Sequence, residues 1–522
     1  MVKIIINFFT KYFLINIYLV FIRNNFHKNL IEYNFQNIEF NDIDQLKKIF
    51  YFKNYYNSKS NIKNNYEFHS FDWLNAGKKI GGSKNINIAK NHIILWSKSN
   101  YIKNSFIWNG FFISRRINNL IYNYDYYGST ASKDDKKIIQ NLLIKHYVLL
   151  KIEIKLSEPK SITLEEAKAV LLLSSIYNKK NTKYILLLKE IILSQIDSNG
   201  FHKSYNPTKQ AEFINDLYEI KNILLFFKNN IPNELDFQIL NMTSLLINLL
   251  HVDGSLALYN GSNNYYLSNI IRIIKNEKDL KPKKIKNITQ GIISYADKEK
   301  KIFMDIVNPI NKPINYNFHS STLAFEFSCI NEKIITNCGS LNKKYGKGPE
   351  YLRYSAAHST IIINNTNISE LVEKKSYKRA PQNITIKTSD QEDKIIWETS
   401  HDGYLKNFKK IIKRKLIINR KINKISGNDE IICTKINSKK DNYSIRFHLM
   451  PGCSALVTND KKTILLKTKL GQSWIFSSES KLLLEESIYI GGGKRVEQNK
   501  QIVIYGSILN TKKIEKWSLT KK

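Results

Sequence analysis

Cysteine is scarce: only Cys329, Cys338, Cys433 and Cys453 stand in 522 residues, and no two form a CxxC pair. A zinc ribbon or thioredoxin-like motif is therefore excluded. The four read as buried thiols, with a bridge between two of them open if the chain is exported. Arginine is also rare, at ten of the 81 basic residues that give a formal charge of +36. The lysines run along the whole length among abundant Ile, Asn, Tyr and Phe, the signature of A/T-rich coding. Nucleic-acid recognition favours arginine forks and a local basic stripe with aromatics, so no nucleic-acid partner is expected. A long uninterrupted apolar run is missing too. In the opening MVKIIINFFTKYFLINIYLVFIRNN, Lys11 breaks the run and no small-residue cleavage site follows Arg23. This segment reads as a buried or surface helix, the alternative being an uncleaved export or anchoring signal, and gives no firm transmembrane span.

What is present is organised in blocks. A chain this long exceeds one growing core, so two or more packed units are expected. From Tyr66 to about Ile270 apolar residues recur at three- and four-residue spacing, as in IIQNLLIKHYVLLKIEIKL and LEEAKAVLLLSSIYNKK, predicting amphipathic helices in series. Breaks such as Gly81–Gly82, YGST and DSNG suit sequential helix pairing. The Pro-bearing, charged stretch NEKDLKPKKIKN (276–287) reads as a junction. After about Ile288 the period becomes two in STLAFEFSCI, KIITNCGS, HSTIIINN, NITIKTS, KIIWETS, YSIRFHLM, KTILLKTK, SWIFSS and KQIVIYGS, predicting short antiparallel strands. The expected layout is an α+β multidomain chain: an N-terminal segment 1–65, a helical domain 66–287 and an antiparallel β-sandwich 288–522.

Several segments, standing in order, resemble the heparinase II/III-like family. They are FDWLNAGKKIGG (Phe71–Gly82), the Trp108–Arg115–Arg116 cluster, DSNGFHKSYNP (Asp197–Pro207) and HVDGSLALYNG (His251–Gly261). In the sheet block they are FHSSTLAFEFS (Phe318–Ser328), NCGS (Asn337–Ser340), RYSAAHST (Arg353–Thr360), HDGY (His401–Tyr404), RFHLMPG (Arg446–Gly452) and the late GGGKRVEQNKQIV. The resemblance implies an (α/α) toroid followed by a heparinase II/III-like β-sandwich, and an acidic, uronate-containing polysaccharide cleaved by β-elimination. That chemistry needs a neutraliser for the carboxylate, a base for the C5 proton and an acid for the leaving oxygen.

The resemblance also assigns candidate residues. His319 falls where the family begins its HxxxLxF strand, with Leu323 and Phe325 in register, and is a candidate base or metal ligand. Ser321 stands where the family commonly has Asp. Asn337 occupies the place of an Asp that helps hold a metal in relatives, and His358 matches a histidine of the same site. His319, Asn337 and His358 thus form a possible site for zinc or another divalent ion, weakened by the lost carboxylate. In the helical block no Asn–His pair stands between residues 150 and 190, and Lys209 falls near the family's tyrosine. Tyr205, with His202 three residues before it, is the replacement candidate. Arg353, Arg115, Arg116 and Arg446 are candidates to bind substrate carboxylates. Tyr404 reads as packing and His401 as a surface turn residue. Two functions stand side by side: a carbon–oxygen lyase using His202, Tyr205 and His319, or a catalytically silent glycan-binding or envelope-biogenesis protein. Family grounds favour the bacterial cell envelope or periplasm, with the cytoplasm as the alternative; the sequence fixes neither cofactor nor oligomeric state.

Overall fold

The computed structural model describes residues 66–98, 107–158, 161–177, 181–265, 267–268, 271, 291–308, 318–342, 348–371, 377–435, 440–509 and 511–522. The expectations for 1–65 and for the junction at 276–287 lie outside them. The chain divides into two compact units, Met1–Asp197 with Phe213–Ile239, and Ser198–Glu212 with Leu240–Lys522. No described helix is long and apolar enough to cross a membrane.

The helices are α1 (Tyr66–Ser70), α2 (Trp73–Ile80), α3 (Ser83–Lys98), α4 (Gly110–Tyr122), α5 (Tyr124–Gly128) and α6 (Lys133–Leu156). They continue as α7 (Leu164–Ile176), α8 (Thr182–Gln195), α9 (Pro207–Phe226) and α10 (Asn233–Asn248). Local chemistry fixes several starts. Asn109 caps α4 through Phe112 N–H, and reciprocal capping boxes start α6 (Ser132 with Asp135) and α7 (Thr163 with Glu166), satisfying amides that the first turn would otherwise leave unbonded. Helix α4 is buried along most of its length. It carries Arg116, wholly buried, whose guanidinium lies 4.7 Å from the Trp96 ring centroid and 5.1 Å from that of Trp108.

Among the described residues the second unit holds two eight-stranded antiparallel sheets and a separate two-stranded one. In chain order, β1 (Ile292–Ala296), β2 (Lys300–Asp305), β3 (Phe325–Cys329), β4 (Glu332–Thr336) and β5 (Ile361–Ile363) precede the two-stranded sheet, β6 (Glu370–Leu371) and β7 (Tyr377–Arg379). Next come β8 (Ile384–Asp390), β9 (Lys394–His401), β10 (Lys410–Asn419), β11 (Lys424–Cys433) and β12 (Asp441–Leu449). The last are β13 (Ser454–Val457), β14 (Thr463–Lys467), β15 (Ser473–Ser478), β16 (Leu482–Tyr489), β17 (Glu497–Ile508) and β18 (Lys512–Lys521). The first sheet runs β1-β2-β3-β4-β12-β17-β16 with β5 also on β12, and the second runs β13-β14-β15-β18-β11-β10-β9-β8. Their inner faces share one core, where Trp517 stacks on Phe325 (5.4 Å, 12°) and Phe476 (5.8 Å, 10°) and meets Phe447 edge-on. Each such fully buried side chain contributes about 1.5–3 kcal/mol. Gly427 pairs with Trp517 across β11 and β18, and a Cβ there would lie 2.2 Å from the indole.

The strands expected from the two-residue period are present. Strands β10, β11 and β18, which that reading did not single out, form the middle of the second sheet. All four cysteines are free, with Cys329 and Cys338 buried. His401 corrects its assignment to a surface turn: it ends β9, is 1% exposed, and its Nδ1 accepts from Gly403 N–H. Tyr404 is buried and donates to the Thr366 carbonyl.

One ion pair pins the sheets together. Arg414 on β10 bonds both oxygens of Asp429 on β11 (2.7 and 2.9 Å), and its Nη1 reaches the carbonyls of Leu323 and Ser359. Both side chains are fully buried. Asp429→Ala should therefore destabilise the protein by about 3–5 kcal/mol, because it strands a buried guanidinium. An Arg414→Met, Asp429→Leu double variant should recover much of that in denaturant titration; equal losses in both would contradict the argument.

Candidate functional site

The second unit assembles most of the sequence-level candidates. The loop after Gly200 is shaped by Gln210, which accepts from His202 N–H (2.7 Å) and donates to the carbonyls of Gly200 (2.8 Å) and Met242 (3.1 Å). His202 is buried, and its Nδ1 accepts from Ser204 N–H (3.3 Å) with Ser204 Oγ at 2.7 Å, which leaves the ring proton on Nε2. Tyr205 follows with φ +47. Its ring packs on Phe201 and Phe318 and lies against Gly291, where a Cβ would come within 2.2 Å of it. Glycine is required at 291 for that space and for its own φ of +75.

Asn260 joins this loop to the sheet. Its Nδ2 donates to the Tyr205 carbonyl and its Oδ1 accepts from His319 N–H, each at 3.2 Å. The His319 ring then meets His358, with Nδ1 3.2 Å from His358 Nε2. Arg353 donates to the Phe318 carbonyl (3.3 Å), and its backbone carbonyl accepts from Ser320 N–H. Burial, with Arg353 adding to it, pulls His319 down to about 3, and burial also pulls His202 to about 3. Both rings are neutral. Ser321, in place of the family's Asp, donates to Asp305, whose carboxyl burial pushes up to about 6.

Asn337 departs from the metal-ligand expectation. Its Oδ1 accepts from Ser359 N–H (3.0 Å) and its Nδ2 donates to Glu326 (3.2 Å), so both amide atoms are committed. Among the described residues no three His, Cys, Asp or Glu side chains converge as a metal-holding group. His319, Asn337 and His358 therefore do not fit a divalent ion, which normally takes three or four convergent donors.

The arginine candidates separate. Arg116 corrects its assignment to substrate binding: it donates to His146 Nε2 (2.6 Å) and to the carbonyls of His69 and Ile107, wholly inside the first unit. Arg115 pairs with Asp72 and Glu165. Arg446 pairs with Glu485 (3.4 Å) and meets the Tyr505 hydroxyl. Arg353 alone adjoins the His319–His358 pair, and no carboxylate pairs with it among the described residues. Lys209 closes on Glu212. Asn260, His251 and Glu326 were missed as individuals, although each lies in a motif that carries the resemblance.

The described chain is thus a helical unit and an antiparallel two-sheet unit that holds this polar group. Residues 285–518 match the model for the heparinase II/III-like C-terminal family, so that region is similar to the family. Solved structures agree in fold. A heparinase III structure superposes with a TM-score of 0.72 at 13% identity over 97% of this chain and 89% of its own. Heparan sulfate lyase HepC from Pedobacter heparinus gives 0.62 at 13% over 97% and 87%. In sequence, the chain is 21% identical over 429 residues to FtsZ-localized protein C of Caulobacter vibrioides, covering 78% of this chain and 73% of that one.

Two outcomes follow. Asn337→Asp sets a second carboxylate against Glu326 and should lower stability by about 1–3 kcal/mol without creating stoichiometric zinc binding; zinc uptake by that variant, measured by metal analysis after dialysis, would contradict it. Burial also lowers His251 to about 4 and His401 and His448 to about 3. The unfolded chain takes up these protons near 6.5 and the folded chain only near 3–4, so stability is lost as pH falls below 6.5. Each histidine contributes about 1 kcal/mol per pH unit. Asp305 works in the opposite sense, gaining as pH falls from about 6, but it is one group against several. Thermal midpoints should drop steeply between pH 6.5 and 5; a flat profile there would overturn the assignment of neutral rings.

Proposed function

We propose that this protein is a carbon–oxygen lyase that cleaves an acidic, uronate-containing polysaccharide of the cell envelope by β-elimination. One observation carries the reading: the amide of Asn260 bonds the backbones of both Tyr205 and His319, and His319 adjoins an arginine that has no carboxylate partner among the described residues. Arg353 would pair with the uronate carboxylate and make the C5 proton acidic. His319 would accept that proton. This requires Nδ1–H to donate to His358, which leaves Nε2 its lone pair. As the C5–H and C4–O bonds break and the C4=C5 bond forms, Tyr205 would protonate the departing oxygen. His202, held neutral beside Ser204, supports the same loop.

A second reading, a catalytically silent glycan-binding protein on this fold, is favoured by Lys209, which stands near the family's tyrosine and is closed on Glu212. The name FtsZ-localized protein C, borne by the Caulobacter relative, likewise describes no enzyme.

Ultraviolet absorbance of the unsaturated uronate product, followed over a panel of acidic polysaccharides, tests the proposal. Absorbance should rise on at least one substrate, and His319→Ala and Tyr205→Phe should each reduce the rate by 100-fold or more, roughly the range of general acid–base catalysis. No rise on any substrate, with salt-sensitive glycan binding retained, would establish the silent reading instead.

A further inference from the structure

The turn that carries Arg353 has a feature that the elimination chemistry leaves unused. Glu350–Arg353 forms a single 3-10 turn. Leu352, which is buried, anchors it in a small apolar cluster with Cys338, Ala357 and Ile490. Hydrogen bonds pin the backbone just after that anchor. The Arg353 carbonyl accepts from Ser320 N–H (2.8 Å), and Ser355 N–H donates to Asn367 Oδ1 (2.9 Å). The turn is therefore held in place on the residue next to His319.

Two tyrosines stand outward on this anchored turn. Tyr354 N–H donates to the Tyr351 carbonyl (3.1 Å), closing a 3-10 step in which side chains three residues apart lie side by side. Tyr351 is 49% exposed and Tyr354 38%. Tyr505 is the one other tyrosine so open among the described side chains, in a chain that buries most of them. A lone surface tyrosine needs no explanation. Two on one turn, on either side of a guanidinium that one hydrogen bond engages among the described residues, set an apolar face beside a positive charge. An acidic glycan offers the complement: a carboxylate on one ring and a C–H face on the next.

We infer that Tyr351 and Tyr354 form a stacking platform for the sugar that adjoins the uronate at Arg353, and that this sugar is a pyranose with equatorial ring hydroxyls. Such a ring turns its axial C–H bonds outward as a flat apolar face, which a tyrosine ring covers while its hydroxyl stays in water. Tyrosine suits the task because it brings a large rigid surface with two side-chain torsions to order. Axial substituents break that face. The placement of the platform rests on the reading proposed above, in which Arg353 pairs with the uronate; stacking itself needs no elimination.

Calorimetric titration of the full chain tests it, on the His319→Ala background where the unmutated chain turns a probe over. The probes are a hyaluronan hexasaccharide (alternating glucuronate and N-acetylglucosamine), an oligoguluronate of the same length, whose ring substituents are partly axial, and glucuronate alone. The hexasaccharide should bind about tenfold or more tightly than either of the others. Tyr351→Ala with Tyr354→Ala should weaken it about tenfold or more and leave the thermal midpoint unchanged, since both rings are exposed. Tyr351→Phe with Tyr354→Phe should bind as the parent does, because the ring face and not the hydroxyl makes the contact. Absence of hexasaccharide binding, unchanged binding by the double alanine variant, or equal affinity for oligoguluronate would each overturn the platform. Elimination is read separately, by ultraviolet absorbance with His319 intact. A chain that binds in this pattern and forms no product refutes the lyase reading alone; product formed at an unaltered KM by the double alanine variant refutes the platform alone.

Discussion

The buried carboxylate of Glu326 is the constraint on which the second unit depends. It lies on β3, fully buried, and accepts from His251 Nε2 (2.8 Å), Leu258 N–H (3.1 Å), Asn337 N–H (2.9 Å), Asn337 Nδ2 (3.2 Å), Lys333 Nζ (3.3 Å) and Thr336 Oγ1 (3.3 Å). Burial alone would drive the acid to protonate. Lys333 and His251 outweigh it and bring the group down to about 2. A charge held this way is specific in its demands, because removing any donor leaves part of an ion uncompensated in the interior. It fixes two stretches at once. Through His251 and Leu258 it seats the segment that ends in Asn260, and through Asn337 it sets Ser359, the residue after His358.

A second ion pair repeats this logic from the opposite sheet. Arg414 reaches across the sandwich to the carbonyls of Leu323 and Ser359, four residues after His319 and one after His358. The two histidines therefore meet on backbone that is held from both layers. Leu323 itself adopts φ +59, a conformation that a branched residue tolerates only where the surroundings determine it. The rigidity around the pair is thus a property of buried charges more than of the apolar core.

That arrangement explains what could be read from the sequence and what could not. Apolar periodicity exposed the helical block and half of the described strands, because those residues follow the bulk rule of burying one face. Strands β10 and β11 were hidden because their inward positions include Lys410, Arg414 and Asp429, charged residues that break the alternation a reader looks for while obeying it in space. The meeting of His319 and His358 was legible through motif order. The loss of the metal-like role of Asn337 was not: it depends on Glu326, eleven residues earlier, facing the same amide across the turn between β3 and β4. Asn260 was invisible for a related reason, since its function is to bond two backbones and no side-chain chemistry advertises that.

Arginine scarcity shows how far a compositional argument reaches. In a lysine-dominated chain each retained guanidinium marks a constraint, but the constraint need not be a ligand. Arg116 lies between two tryptophans and bonds two carbonyls, Arg379 bonds the carbonyls of Asn367, Ile368 and Gly403, and Arg414 bonds an acid and two carbonyls. In each case a planar fork with five donors satisfies several fixed acceptors at once, which a lysine ammonium on a flexible stem cannot reproduce. Their retention is thus explained by packing. Arg353 differs: among the described residues one hydrogen bond, to the Phe318 carbonyl, engages its guanidinium, and it stands beside a neutral imidazole. The number of fixed acceptors each guanidinium meets, rather than rarity, is what sets Arg353 apart from the three arginines held by packing.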